Sequence, residues 1–203
     1  ARTVFDLPSA VVPGSYAWSP RGDHVAFLTQ VGPLVSLCLL GTAPPSFRYV
    51  ADLSQDDPTP LRYPPVAWSP DGTRIVFAAL APAGRGRLGG WPFGGSATSA
   101  LYVSPAAGTT SRRAGSATGH APVWRADGSV LALARPDSAG PLSVPMVDPQ
   151  TGETRDVGRI DVPPAASYSA RWDARHGQAI IALRRDLGTP ELWLVRFIAE
   201  ARP

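Results

Sequence analysis

The chain has 203 residues, 44% of them hydrophobic and 17% charged, with a formal net charge of +3 at pH 7. Such a length suffices for one well-buried domain or two very small ones, and no apolar stretch approaches the ~20 residues of a membrane-spanning helix. All 19 basic residues are arginines scattered along the sequence, and we expect no nucleic-acid partner because a phosphate-binding groove gathers its basic residues on one face.

One pattern recurs four times along the chain: a short apolar run ending in tryptophan, a polar turn, and a second apolar or alternating strand. The four copies are YAWSPRGDHVAF (16–27), VAWSPDGTRIVF (66–77), PVWRADGSVLAL (122–133) and ARWDARHGQAII (170–181). Their tryptophans are 50, 56 and 48 residues apart and are Trp18, Trp68, Trp124 and Trp172. A period near 50 residues indicates a repeat architecture. The Asp-Gly pairs in two of the turns favour β-hairpins, because glycine readily adopts positive φ.

Further strands follow each copy of the pattern. The predicted third strands are 34–40, 100–104, 141–147 and 191–197, and the predicted fourth strands are 47–54, 109–115 and 153–160. The last unit has no fourth strand of its own, but the N-terminal residues 2–7, RTVFDL, match residues 48–53, RYVADL, at Arg, Val, Asp and Leu. We therefore expect residues 2–7 to supply the fourth strand of the last unit.

These elements predict an all-β fold, a β-propeller of four-stranded antiparallel blades. The expected single domain spans residues 1–203, with blades at roughly 14–54, 64–115, 120–160 and 168–203, and strand 2–7 completes the last blade and closes the ring. Two alternatives stay open: the residues form part of a larger propeller, or two copies complete a ring together. The four repeated tryptophans are predicted to be core residues that pack against the neighbouring blade. Cys38, in the apolar run LVSLCLL, is predicted to be a buried free thiol.

The run W-S-P-D-G-x-x-[IV]-x-F, followed by an L-Y-V strand, resembles the repeat of the TolB-like propellers. The second unit carries it almost whole, as WSPDGTRIVF and ALYVS, and the other units carry degenerate versions. The resemblance implies a bacterial, extracytoplasmic protein (periplasmic, secreted or associated with the cell envelope) that acts by binding other proteins. The chain departs from the family in having four repeats where those propellers usually have six. Similar repeats form the propeller of prolyl-oligopeptidase-like peptidases, whose hydrolase domain carries a G-x-S-x-G elbow that this sequence lacks.

The sequence contains no motif that indicates catalysis. It has no HExxH, no CxxC and no P-loop, and it has no lysine for Schiff-base chemistry. We therefore expect a non-enzymatic protein with no cofactor and no metal site.

Two features are candidate binding elements. The first is the insertion at 81–99, in which Arg85, Arg87, Trp91 and Phe93 lie among glycines; arginine and tryptophan are favoured in protein interfaces. The alternative is a loop that only covers its own blade. The second consists of residues at the start of the innermost strands, near the mouth of the central channel: Tyr16, His120, Tyr168 and Arg171. The alternative is that these side chains merely fill the channel.

The sequence thus predicts a protein- or peptide-binding propeller that uses the channel mouth and the 81–99 loop. Two other functions are retained: the propeller portion of a larger hydrolase, acting on peptides or sugars, and a structural subunit of an assembly.

Overall fold

The computed structural model describes residues 10–12, 14–31, 34–52, 59–60, 66–80, 99–118, 120–134, 141–161, 167–173, 178–184 and 191–196. These residues form four antiparallel sheets that follow one another along the chain. The described part contains no helix, and so none long and apolar enough to cross a membrane. The predicted all-β propeller with repeated antiparallel blades is confirmed.

Blades 1 and 2 each begin with an innermost strand in two pieces. Blade 1 consists of β1 (Ala10–Val11), β2 (Ala17–Trp18), β3 (His24–Val31), β4 (Leu34–Thr42) and β5 (Pro45–Asp52). Blade 2 consists of β6 (Thr59–Pro60), β7 (Val66–Trp68), β8 (Arg74–Leu80), β9 (Ser99–Pro105) and β10 (Arg112–Thr118). In both blades the two short pieces pair with the same second strand, and the remaining strands continue as a meander.

Blades 3 and 4 have an uninterrupted innermost strand. Blade 3 consists of β11 (His120–Trp124), β12 (Val130–Leu133), β13 (Leu142–Val147) and β14 (Thr154–Ile160). The described strands of blade 4 are β15 (Ser167–Asp173), β16 (Gln178–Arg184) and β17 (Glu191–Arg196). Residues 2–7, predicted to complete blade 4, lie outside the described residues, so closure of the ring by this strand stays a prediction.

The turn after the repeated tryptophan is held by its own polar side chains. In blade 2 the carboxylate of Asp71 accepts hydrogen bonds from the Ser69 hydroxyl at 2.5 Å and from the Thr73 amide at 3.0 Å. These bonds favour the ionised carboxylate and lower the pKa of Asp71 to about 2. Gly72 has a φ of +72°, a conformation that side chains with a Cβ rarely adopt. The hairpins expected from the Asp-Gly pairs are therefore confirmed here, and Gly128 repeats the geometry in blade 3 with a φ of +82°.

Successive side chains of a strand point to opposite faces of the sheet, so one set of apolar side chains packs against the preceding blade and the other set against the following blade. In β8, Ile75 and Phe77 pack against blade 1, whereas Val76 and Ala78 pack against blade 3. Among the described residues, the core therefore includes three apolar layers between successive blades. The third layer joins blade 3 to blade 4 through buried residues that include Leu133, Leu142 and Ile181.

The repeated tryptophans tie each blade to the one before it. The indole N–H of Trp68 donates to the carbonyl of Ala17 at 3.0 Å, and that of Trp124 donates to the carbonyl of Ala67 at 3.1 Å. Trp124 is buried and Trp68 half-buried, as expected of core residues. The prediction is wrong for Trp18, which is 59% exposed and donates no hydrogen bond to a described residue. The side chain of Trp172 lies outside the described part of the chain.

Cys38 is completely buried in β4, which confirms its predicted role as a small apolar residue. Its sulfur lies 3.4 Å from the Thr29 hydroxyl. Desolvation raises the pKa of the thiol, so the group stays protonated at neutral pH and is a poor nucleophile.

Candidate functional site

The innermost strands carry one half of the candidate site. Successive innermost strands contact each other from β2 to β7, from β7 to β11 and from β11 to β15. These are the strands that line the centre of a propeller. The four residues predicted at the channel mouth all lie on or beside these strands: Tyr16 directly before β2, His120 at the start of β11, and Tyr168 and Arg171 in β15.

The channel residues lie at two depths. His120 pairs with Leu133 and Tyr168 with Leu183, near the ends of their partner strands, whereas Arg171 lies directly before the repeated tryptophan. The Tyr16 ring is 64% exposed and open to a ligand. The side chains of His120, Tyr168 and Arg171 lie outside the described residues, so their convergence stays a prediction.

The 81–99 insertion emerges at the end of the blades where the innermost strands begin. Leu80, the last residue of β8, pairs with Thr59, the first residue of β6, so the connection to β9 leaves at this edge. Residues 81–98 themselves lie outside the described residues, and the contacts predicted for Arg85, Arg87, Trp91 and Phe93 are untested. The two described residues that flank this segment, Leu80 and Ser99, therefore lie at the channel-mouth end.

The backbone is strained beside His120. Ala121 has a φ of +48°, and the pairing of β11 with β12 shifts register between His120 and Val123. Positive φ is uncommon for alanine, and such strain together with a bulge often re-aims a side chain at a functional site. Sequence reasoning did not anticipate this bulge, since HAPVW contains no glycine to signal it.

A second concave surface, which sequence reasoning missed, lies between blades 2 and 3 at the opposite end of the strands. This groove has a volume of about 490 Å³ and is lined by charged residues of both signs around Met146: Arg74, Asp127, Asp148, Glu153 and Arg155. The acidic residues of the groove lie in the two turns of blade 3 at this end of the strands. The sequence gives only a weak indication of this groove, because Arg74 belongs to a different blade. Its position across the groove depends on how the two blades pack.

The groove is polar and pre-ordered. The Arg74 guanidinium lies 4.7 Å from the centre of the Trp124 ring, in a cation–π contact. The backbone amide of Gln150 donates a hydrogen bond to the Asp148 carboxylate at 2.7 Å and lowers the pKa of Asp148. The positive charge of Arg74 lowers this pKa further. The Ser129 hydroxyl lowers the pKa of Asp127 in the same way. Both carboxylates are therefore ionised at neutral pH and contribute negative charge to the groove.

Among the described residues no three His, Cys, Asp or Glu side chains cluster as metal ligands would.

The sequence matches no protein-family model, and no curated protein is significantly similar to it in sequence. Similarity to solved structures is clear. TolB from Acinetobacter baumannii superposes with a TM-score of 0.61 at 12% identity, over 95% of this chain and 42% of that one. A putative TolB from Agrobacterium tumefaciens superposes with a TM-score of 0.59 at 20% identity, over 96% of this chain and 61% of that one. An oligogalacturonate lyase in complex with manganese gives 0.61 at 12% identity, over 95% of this chain and 52% of that one.

The four antiparallel sheets and these superpositions define the class of the protein: it is a β-propeller. More narrowly, its fold is that of the TolB-like propellers, as the W-S-P-D-G repeat predicted. The chain spans 42% and 61% of the two TolB structures, and at these identities the likeness extends to the fold alone.

Proposed function

We propose that the chain is a non-enzymatic protein- or peptide-binding propeller that captures its partner at the channel-mouth end. One observation carries the proposal: the strand topology attaches the 81–99 insertion to the end of the blades at which the innermost strands begin. This attachment supports a single binding face that combines the aromatic and arginine residues of the insertion with the residues near the channel. Loops on a rigid scaffold are where binding residues concentrate.

The composition of this face suits a peptide. Tyr16 is well exposed, and Tyr168, Trp91 and Phe93 add aromatic surface of the kind that supplies interface hot spots. Arg85, Arg87 and Arg171 add positive charge without acidic neighbours in the insertion. The preferred partner is therefore an extended segment that carries aromatic and acidic side chains. The resemblance to TolB-like proteins supports an extracytoplasmic location in a bacterium.

The experiment is selection of a random peptide phage library on the immobilised chain. We expect enriched peptides whose binding falls at least tenfold in the double variant Tyr16→Ala/Tyr168→Ala and is abolished when residues 83–98 are deleted. The deletion should leave the thermal transition nearly unchanged, because it removes a connection rather than a strand. Val157→Ala, at an exposed position on the outer strand β14, is the matched control and should bind normally. Peptides that bind the deletion variant equally well would contradict the proposed site.

A second candidate is the propeller portion of a sugar-acting enzyme, favoured by the superposition on oligogalacturonate lyase. It predicts that the chain binds or cleaves oligogalacturonate when Mn²⁺ is supplied. Calorimetry with the oligosaccharide, followed by absorbance of the unsaturated product, tests it. No binding heat with or without the metal would remove this candidate.

A further inference from the structure

The groove between blades 2 and 3 lies at the end of the strands opposite to the proposed binding face, so that function leaves it unused. Its volume of about 490 Å³ falls within the roughly 300–1,000 Å³ of small-molecule sites. Its walls are the turn at 125–129, the turn at 148–153 and the side chain of Arg74 from blade 2.

Arg74 is held in place, but its hydrogen-bond donors are not used. The guanidinium lies 4.7 Å from the centre of the Trp124 ring. Its Nη2 atom lies 3.7 Å from the point where a Cβ of residue 128 would stand, beside the backbone of Gly128. Within the described part of the chain no group accepts a hydrogen bond from this guanidinium. A fixed guanidinium with free N–H groups matches the two oxygens of a carboxylate.

Glu153 places the opposite charge in the same groove. Its backbone amide donates to the Thr151 hydroxyl at 3.2 Å, which fixes the residue in its turn. Asp127 and Asp148 use their carboxylates to accept amide hydrogen bonds within their own turns. The Glu153 carboxylate accepts no hydrogen bond from a described residue, so it is the acidic group best able to bind a cation from outside.

The charges around the groove balance. Among the described residues, three carboxylates and the guanidinium groups of Arg74 and Arg155 line it. Arg125 pairs with Asp127 at 3.6 Å and adds a third positive charge beside it. A simple anion or a simple cation would therefore meet as many repelling as attracting charges, whereas a ligand with both charges can pair with each kind. Met146, which is 9% exposed, gives the groove an apolar surface as well.

The wall at 148–153 is ordered by the protein itself. Arg112 of blade 2 donates hydrogen bonds to the carbonyls of Pro149 and Gln150, so this turn is fastened to the neighbouring blade. Within the turn, the Gly152 amide donates to the Asp148 carbonyl at 2.8 Å. A site whose walls are fixed beforehand loses little conformational entropy when a ligand binds.

We propose that this groove binds a short zwitterionic peptide of two or three residues with free termini. The terminal carboxylate pairs with Arg74, and the terminal ammonium pairs with Glu153. The volume suits a ligand of this size, and the balanced charges select a ligand that carries both signs. This site is independent of the peptide capture proposed at the channel-mouth end.

The test is isothermal titration calorimetry with three forms of one peptide: trialanine with free termini, N-acetyl-trialanine and trialanine amide. We expect saturable binding of trialanine, and binding at least tenfold weaker for each blocked form, because each lacks one of the two charges. Arg74→Gln should no longer distinguish trialanine from its amide, and Glu153→Gln should no longer distinguish trialanine from its N-acetyl form. Arg113→Gln and Asp161→Asn change exposed residues outside the groove and should bind like the unmodified chain.

Nuclear magnetic resonance locates the bound peptide. Trialanine should shift the backbone amide signals of Gly128, Ser129 and Gln150, and deletion of residues 83–98 should leave its affinity unchanged. Circular dichroism checks that each variant is folded, and Glu153→Gln tests the site even if loss of the Trp124 contact unfolds Arg74→Gln. Three results would each overturn the proposal: no saturable binding of trialanine, equal affinity for the three forms, or shifts confined to residues outside the groove.

Discussion

Replacing Trp124 by phenylalanine tests whether the indole-to-carbonyl bond holds neighbouring blades together. The change keeps an aromatic ring but removes the N–H that donates to Ala67 at 3.1 Å, in a site where Trp124 is only 3% exposed. Loss of a hydrogen bond that leaves a partly buried carbonyl without its donor costs about 1 kcal/mol. At about 24 cal/mol per Å³, the roughly 40 Å³ lost with the second ring costs about 1 kcal/mol more. The free energy of unfolding should therefore fall by about 2 kcal/mol.

The same substitution at Trp18 is the matched control. Trp18 has the same repeat position but is exposed and donates to no described residue, so Trp18→Phe should change stability by less than about 0.5 kcal/mol. For a chain of this size the loss at Trp124 corresponds to a fall in Tm of about 4–8 °C. Differential scanning calorimetry of both variants at the same concentration measures the difference. Equal Tm values for the two variants would refute the idea that these bonds stabilise the blade contacts.

Two further predictions concern the turns. Gly22→Ala should lower stability by about 1 kcal/mol because its φ of +72° strains any L side chain, although a Cβ there meets nothing within 4 Å. Urea titration measures the loss, and Gly158→Ala, at an equally open glycine in β14 whose φ is not positive, should cause none. Asp71, whose pKa is about 2 in the folded chain against an ordinary 3.8, contributes stability that is complete above pH 4 and is lost as the pH falls towards 2. Urea titrations across this pH range give the free energy of unfolding of the unmodified chain and of Asp71→Asn. The difference between the two free energies should shrink steadily as the pH falls, and a constant difference would contradict this account.

The repeated sequence pattern predicts the strands well, because the formation of each strand depends on residues close to it in the sequence. The alternating run after Trp68 and the Asp71–Gly72 turn are decided by side-chain periodicity and by the positive φ that glycine permits. The predicted third strand 100–104 lies within one residue of the observed Ser99–Pro105 at each end for the same reason. The L-Y-V strand and the W-S-P-D-G turn are also the features that point to the TolB-like fold.

Burial at a repeat position is less predictable, because it depends on whether another blade lies beside it. Trp18 and Trp68 have nearly the same sequence neighbours, AWSPRG and AWSPDG, yet one is exposed and the other donates across a blade boundary. The groove could not be predicted from the sequence for a similar reason. Arg74 lies near Asp148 only because blade 2 packs on blade 3. Contacts between repeats depend on tertiary packing, which the sequence of a single repeat does not determine.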